Sequence, residues 1–216
     1  MTKLIIFDVD GTLVDAYRAI ERSLCHTMKK LGYGRCASLA VVRRSIGHGD
    51  RNFVRRFMDD ESVEKGLAIY RRHHRSALMA YSRAMPGARR VLATLRKRGY
   101  RLAVASNRPK NFTLILLRHL KLDRSFDMIV CARDARDFKP KPALLLRIMR
   151  RLGARRDQTL YIGDMAVDVL AGRNAGVRTI AVTGGSSSLS ELRSAKPFKV
   201  ISKISGLLKI LDKGQN

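Results

Sequence analysis

Acidic residues are scarce in this 216-residue chain: 18 Asp and Glu stand against 44 Lys and Arg, for a formal net charge of +26. Cysteine is scarcer still. Cys25, Cys36 and Cys131 are odd in number and never fall at C-x-x-C spacing, which argues against a metal cage and sets the expectation of free thiols in a reducing, cytoplasmic compartment. No apolar run approaches the roughly 20 residues that cross a bilayer, so no membrane partner is expected. The chain starts with one Lys and a short apolar run leading straight into acids, which does not read as a signal peptide. Aromatic residues make up only 6% and zinc-finger spacing is missing. Both absences weaken the reading that so much positive charge invites, a nucleic-acid partner. The basic residues recur instead as scattered pairs along apparent helices, such as Arg43-Arg44, Arg55-Arg56, Arg71-Arg72, Arg89-Arg90 and Arg150-Arg151. A solvated surface is favoured, with nucleic acid as the minority reading.

A hydrophobic fraction of 45% is enough for a packed core, and the length allows one sizeable core, or a core plus a small second domain. The stretch Leu4-Ile5-Ile6-Phe7-Asp8-Val9-Asp10-Gly11-Thr12 organises the rest. Its apolar run is short and rich in Ile, the pattern of a buried strand in a parallel sheet. Asp8 and Asp10 stand where that strand stops, and the carboxyl end of such strands is where open α/β sheets bind ligands. Two carboxylates there can hold a hard cation, and one can attack an electrophile. Taken alone they could equally cap the following helix and form its turn.

Beyond Asp15 the spacing turns helical. Ala16, Ala19, Ile20, Leu24, Met28 and Leu31 form one apolar face, and Gly32 and Gly34 end it. Further helices are expected over Leu39–Ser45, around Phe53, Val54, Phe57 and Met58, and through Val63, Leu67, Tyr70 and Leu78. No strand-like alternation occurs between about Tyr17 and Ala84, so residues 16–84 read as an all-helical insertion between residues 1–15 and 85–216. After Met85-Pro86-Gly87, strands are expected at residues 101–107, 126–131, 159–164 and 179–182, with a short one near Val200; helices lie between them, and Leu207, Leu208 and Leu211 mark a closing amphipathic helix. Strands alternating with helices give a parallel sheet with right-handed crossovers. The fold class read from the chain is α/β: a Rossmann-like parallel sheet core with an inserted small helical cap domain.

Four strand ends send polar groups toward one crevice: Asp8 and Asp10, Ser106 and Asn107, Lys139, and Asp164 with Asp168. Each has a plain alternative. Ser106 and Asp164 could cap helices, and Lys139 could be one more surface base. Their shared position at or just past the carboxyl ends of strands is harder to set aside.

The motifs D-V-D-G-T-L at residues 8–13, A-S-N at 105–107, K-P-K-P at 139–142 and G-D-x-x-x-D at 163–168 resemble, in order, the four motifs of the haloacid dehalogenase-like hydrolase superfamily. The insertion is similar to that family's small helical cap. Ile46-Gly47-His48-Gly49, with residues 51–57, resembles the cap segment of its phosphoglycolate phosphatases, as does the ending Val182-Thr183-Gly184-Gly185. The resemblance implies a phosphomonoester hydrolase acting on a small phosphorylated substrate. Asp8 is implied as nucleophile and Asp10 as general acid and base. Ser106, the Asn107 amide and Lys139 are implied on the phosphate. Mg²⁺ is implied on Asp8, the Asp10 carbonyl and Asp164, with Asp168 ordering the metal shell or Lys139, or joining as a ligand. Gly47, His48 and Arg51 are implied cap contacts, and Arg43, Arg44 or Arg51 could attract a second anionic group. His73 and His74 read as solvated. Alternatives of the same fold are a sugar phosphomutase resembling β-phosphoglucomutase, a pyrophosphatase or a nucleotidase; a nucleic-acid-binding protein on this scaffold stands further off. A cation is required by magnitude, since each pair of like unit charges at about 4 Å costs roughly 4 kcal/mol at an effective dielectric near 20.

Overall fold

The structure, a computed structural model, describes residues 2–213. Leu4–Phe7 (β1) has all four side chains fully excluded from solvent. A strand so apolar is stable only with both edges paired and both faces covered. Parallel neighbours supply the edges: Arg101–Ser106 (β4) on one side and Thr159–Gly163 (β6) on the other. With Met128–Cys131 (β5), Arg178–Val182 (β7) and Lys199–Ile201 (β8) they form a six-stranded sheet in the order β5-β4-β1-β6-β7-β8. Its named pairs are all parallel, and the order brings β1, β4 and β6, the strands that end in polar groups, side by side.

Helices cover the faces, and the period-2 alternation of β1 divides its side chains between them. Ile5 and Phe7 pack with Leu92 and Leu95 of Ala88–Lys97 (α5), Leu116 of Lys110–His119 (α6) and Leu207 of Gly206–Lys213 (α10). Leu4 and Ile6 pack with Leu145 and Ile148 of Ala143–Arg151 (α7) and Ala171 and Ala175 of Ala166–Ala175 (α8). Leu189–Ser194 (α9) adds Leu192 to a small cluster with Val169 and Ala181. Strands and helices thus fall where the apolar runs and periodicities put them, with ends shifted by a residue or two.

Between Val14–Asp15 (β2) and Arg83–Ala84 (β3) run Tyr17–Lys30 (α1), Leu39–Ser45 (α2), Asp50–Arg55 (α3) and Val63–Tyr81 (α4). These helices bury a cluster of their own, with Ile20, Leu24, Val42, Phe53, Leu67 and Tyr70 at its centre. The expected apolar stripe of α1 is buried, with Leu31 at its edge. α3 stops at Arg55, short of Phe57 and Met58, and Met58 reaches the cluster from the following turn.

Two expectations fail here. Residues 16–84 are not free of strand: β3 at their end pairs antiparallel with β2 just before them, Val14 with Ala84 and Asp15 with Arg83. Two residues per strand are too few for alternation to show in sequence. Nor are all the thiols free. Cys25 on α1 and Cys36 form a disulfide, leaving Cys131 as the buried free thiol. The intervening Gly32 adopts φ +80° and turns the chain back on α1, which brings the sulfurs together without any C-x-x-C spacing.

Candidate active site

β1 ends at Phe7, and a tight turn follows in which the Leu13 and Val14 amides both donate to the Val9 carbonyl at 2.9 Å. The turn requires glycine at position 11: its φ is +79°, and a Cβ there would overlap Asp164 and Tyr17. Asp8 and Asp10 are thereby aimed into a cavity of about 70 Å³ whose lining also includes Ser106, Asn107, Arg108 and Lys139.

The Lys139 ammonium is the hub of the floor. It donates to Asp8 Oδ1 and to Asp168 Oδ1, each at 2.7 Å, and to the Tyr161 hydroxyl at 3.1 Å. Asp168 accepts a further bond from Tyr161 at 2.7 Å, and its Oδ2 accepts the Met165 amide at 3.0 Å. Asp164 accepts the Thr12 hydroxyl at 3.0 Å and the Ser186 amide at 2.7 Å. Burial works against the Lys139 charge, but the Asp168 and Asp8 carboxylates outweigh it and hold Lys139 above its ordinary range. Asp8 is pushed up to about 7, by burial first and then by Asp168, with Lys139 pulling the other way. Asp164 is raised by burial, then by Asp168 and Asp8. Tyr161 is raised by burial and by Asp168.

Asp8, Asp164 and Asp168 each present a carboxylate oxygen within 4.8 Å of the others. Three clustered buried carboxylates, two of them on a single ammonium, are undercompensated in charge. That deficit, in an all-oxygen donor set, fits a hard divalent cation.

Asn107 ties two loops together. Its Oδ1 accepts the Lys139 amide at 2.9 Å, and its Nδ2 donates to the Gly47 carbonyl at 2.7 Å. Ser106 Oγ accepts the Arg108 amide at 3.1 Å. All seven residues expected from strand ends and their following turns thus meet: Asp8, Asp10, Ser106, Asn107 and Lys139 at the cavity, with Asp164 and Asp168 packed behind Asp8.

The helical insertion contributes differently from expectation. Gly47 lines the cavity, but His48 is not among its lining residues and Arg51 is exposed, pairing with Glu64 at 2.7 Å. Arg43 lies over the Tyr17 ring, and Arg44 is exposed. His74, expected in solvent, is buried and lines the cavity. The stripe Tyr70, His74, Ala77, Leu78 has spacings of four, three and one, which places His74 on the apolar face of α4; the neighbouring basic residues obscured that period. Sequence reasoning also passed over Arg108, whose side chain is 7% exposed and which grips Asp10 with two nitrogens, at 2.6 and 2.9 Å. Its position directly after Ser106-Asn107 at a strand end was the available signal.

The family model for haloacid dehalogenase-like hydrolase matches residues 5–182. The chain belongs to that family. A phosphoglycolate phosphatase of Pseudomonas syringae pv. syringae is 33% identical over 217 residues, covering 96% of this chain and 79% of that protein. The pyrophosphatase PpaX of Halalkalibacterium halodurans is 30% identical, covering 96% and 95%. Among solved structures, a predicted phosphoglycolate phosphatase from Haemophilus somnus superposes with a TM-score of 0.92 at 25% identity, covering 97% of this chain and 98% of that one. The four motifs and the parallel sheet behind them are therefore those of a haloacid dehalogenase-like hydrolase, and its class, a phosphatase, agrees with these relatives.

Proposed function

We propose that the protein hydrolyses a small phosphomonoester through an aspartyl-phosphate on Asp8, with phosphoglycolate as the substrate. The carrying observation is Asp8 itself: a buried carboxylate at the end of the central strand, one oxygen on Lys139, facing a small cavity. The Asp8 carboxylate attacks phosphorus as the ester bond to the leaving oxygen breaks, and Asp10 gives that oxygen a proton. Asp10 then takes a proton from the water that attacks the aspartyl-phosphate, which returns Asp8 and releases phosphate. Ser106 and the Asn107 amide bind phosphate oxygens, and Lys139 offsets their charge. Asp168, committed at both oxygens, holds Lys139 in place. Mg²⁺, which Asp8, Asp164 and the Asp10 carbonyl would hold, supplies charge neutralisation where an anionic nucleophile meets an anionic substrate. Residues 16–84 act as a cap that shields the reacting groups from bulk water.

The buried acids make metal binding legible as stability. Asp8 titrates near 7 in the folded protein against 3.8 ordinarily. A raised carboxyl pKa means that the folded state holds the proton more tightly, so metal-free stability is lost as pH rises from about 4 through 7, by up to a few kcal/mol. Saturating Mg²⁺ should therefore raise the melting temperature by several degrees more at about pH 8 than at about pH 5.5. Differential scanning calorimetry at both pH values checks this; equal shifts would count against a cation in the acidic cluster.

The function is tested by phosphate release from 2-phosphoglycolate, sugar phosphates, nucleotides and pyrophosphate, with and without Mg²⁺. We expect Mg²⁺-dependent release, fastest from 2-phosphoglycolate. Release fastest from pyrophosphate would move the assignment to that of the PpaX relative, and no release from any compound would end the hydrolase reading. The relatives' bacterial origin fits a cytoplasmic enzyme, although the Cys25–Cys36 disulfide is unusual for a reducing interior. No described helix is long and apolar enough to cross a membrane.

A further inference from the structure

Lys139 and Arg108 are the cationic residues that line the cavity. Lys139 is fully engaged by Asp8, Asp168 and Tyr161. Arg108 is held differently. Its Nε donates to Asp10 Oδ2 at 2.9 Å and its Nη2 to Asp10 Oδ1 at 2.6 Å, the paired fork-on-carboxylate arrangement. Its remaining terminal nitrogen, Nη1, donates to His74 Nε2 at 2.8 Å. His74 is kept neutral by burial and by Arg108 itself, so Nε2 is free to accept. Its Nδ1–H then donates to Ser23 Oγ at 3.0 Å, and the Ser23 hydroxyl donates to the Ala19 carbonyl at 2.8 Å. The guanidinium is thus aimed from α1 and α4 by a chain of bonds with one consistent direction. Ile20, Phe53, Tyr70 and Phe112 supply apolar walls of the same cavity.

We propose that Arg108 is the receptor for a second anionic group of the substrate, a carboxylate, and that it exchanges Asp10 for that carboxylate when the substrate binds. The inference rests on the phosphatase reading above and adds a specificity residue to it. Two features favour it. Asp10 shows that the fork closes on a planar carboxylate in this cavity. And the leaving oxygen of a phosphorylated hydroxy acid with two carbons is separated from its carboxylate carbon by a single methylene. The group that serves the leaving oxygen and the group that binds the carboxylate must therefore be neighbours, as Asp10 and Arg108 are. One monocation among apolar walls also suits a monoanionic carboxylate better than a second phosphate. The exchange leaves the Asp10 carboxyl free of the fork and beside the leaving oxygen. His74 is a positioning residue for Arg108.

The test compares kcat/KM for 2-phosphoglycolate with that for 2-hydroxyethyl phosphate, in which a neutral CH₂OH replaces the carboxylate, both with Mg²⁺. The unmodified protein should prefer the carboxylate by roughly 10- to 150-fold, the range of charge-assisted hydrogen bonds. Arg108→Gln should bring that ratio to within a few fold. Arg108→Lys, which keeps the charge and loses the fork, should fall between. His74→Leu should lower the ratio in part, whereas a merely structural loss would slow both substrates alike. A ratio unchanged in Arg108→Gln overturns the proposal. So does an unmodified protein that hydrolyses both esters equally, a result that needs no variant to fold. In either case the phosphatase reading survives; release from neither ester overturns this proposal, and only silence across the whole panel would sink both.

Discussion

Asp8→Asn should abolish phosphate release from every substrate, by roughly four to six orders of magnitude, the scale set by removing a nucleophile from a site whose other parts act with it. The amide is nearly isosteric with the carboxylate, and β1 behind it is untouched, so the variant should fold. It should do more than fold. Asp8 is one of three clustered buried carboxylates, of which it and Asp168 pair with Lys139, and its neutral replacement removes like-charge repulsion from Asp164 and Asp168. Without metal at about pH 8, where folding otherwise works against ionising Asp8, the variant should melt above the parent protein. Phosphate release measured beside thermal unfolding separates the two effects. An inactive variant that is also unfolded would say nothing of chemistry, whereas one that is more stable and retains a tenth of the activity would rule out Asp8 as the nucleophile.

Lys139→Met should have the opposite effect on stability. Methionine nearly matches the lysine stem in length, so packing changes little, but the carboxylates of Asp8 and Asp168 lose the one ammonium between them. Breaking a buried ion pair from one side costs about 3–5 kcal/mol because it leaves uncompensated buried charge. For a chain of this size that amounts to a melting temperature lower by about 10 °C, and Mg²⁺ should recover part of it. Activity should fall as well, since Lys139 neutralises both nucleophile and phosphate. A metal-free variant as stable as the parent would mean that the acids are already protonated around Lys139, and the charge accounting of the site would need revision.

The sequence exposed the sheet and the chemistry on it for a physical reason. A central parallel strand is buried on both faces, so it must be continuously apolar, and a carboxylate that interrupts such a run can only lie at its end. Asp8, Ser106 and Asp164 were readable for that reason. What escaped depends on contacts made across the fold. Arg108 was one arginine among many until the turn after β4 placed it against Asp10. His74 was masked by Arg71, Arg72, His73 and Arg75, although its spacing from Tyr70 and Leu78 carried the period of the buried face. The Cys25–Cys36 pairing depends on a turn in the chain, and the β2–β3 ribbon is too short to impose any pattern. His48 and Arg51 were named through resemblance of a segment alone, and the geometry gives Arg51 to Glu64 instead.

The β2–β3 ribbon has a consequence for how such an enzyme can change. The chain leaves the sheet at Val14–Asp15 and returns at Arg83–Ala84, and those two crossings are hydrogen-bonded neighbours. Everything between them is spliced in at a single point, and a splice whose ends lie together can be lengthened, shortened or replaced without moving what lies outside it. Asp8, Asp10, Lys139 and Asp164 all lie outside. Arg108 lies outside as well, whereas His74, which meets it, lies inside, so a lineage could re-aim that guanidinium by exchanging the splice and inherit the chemistry intact.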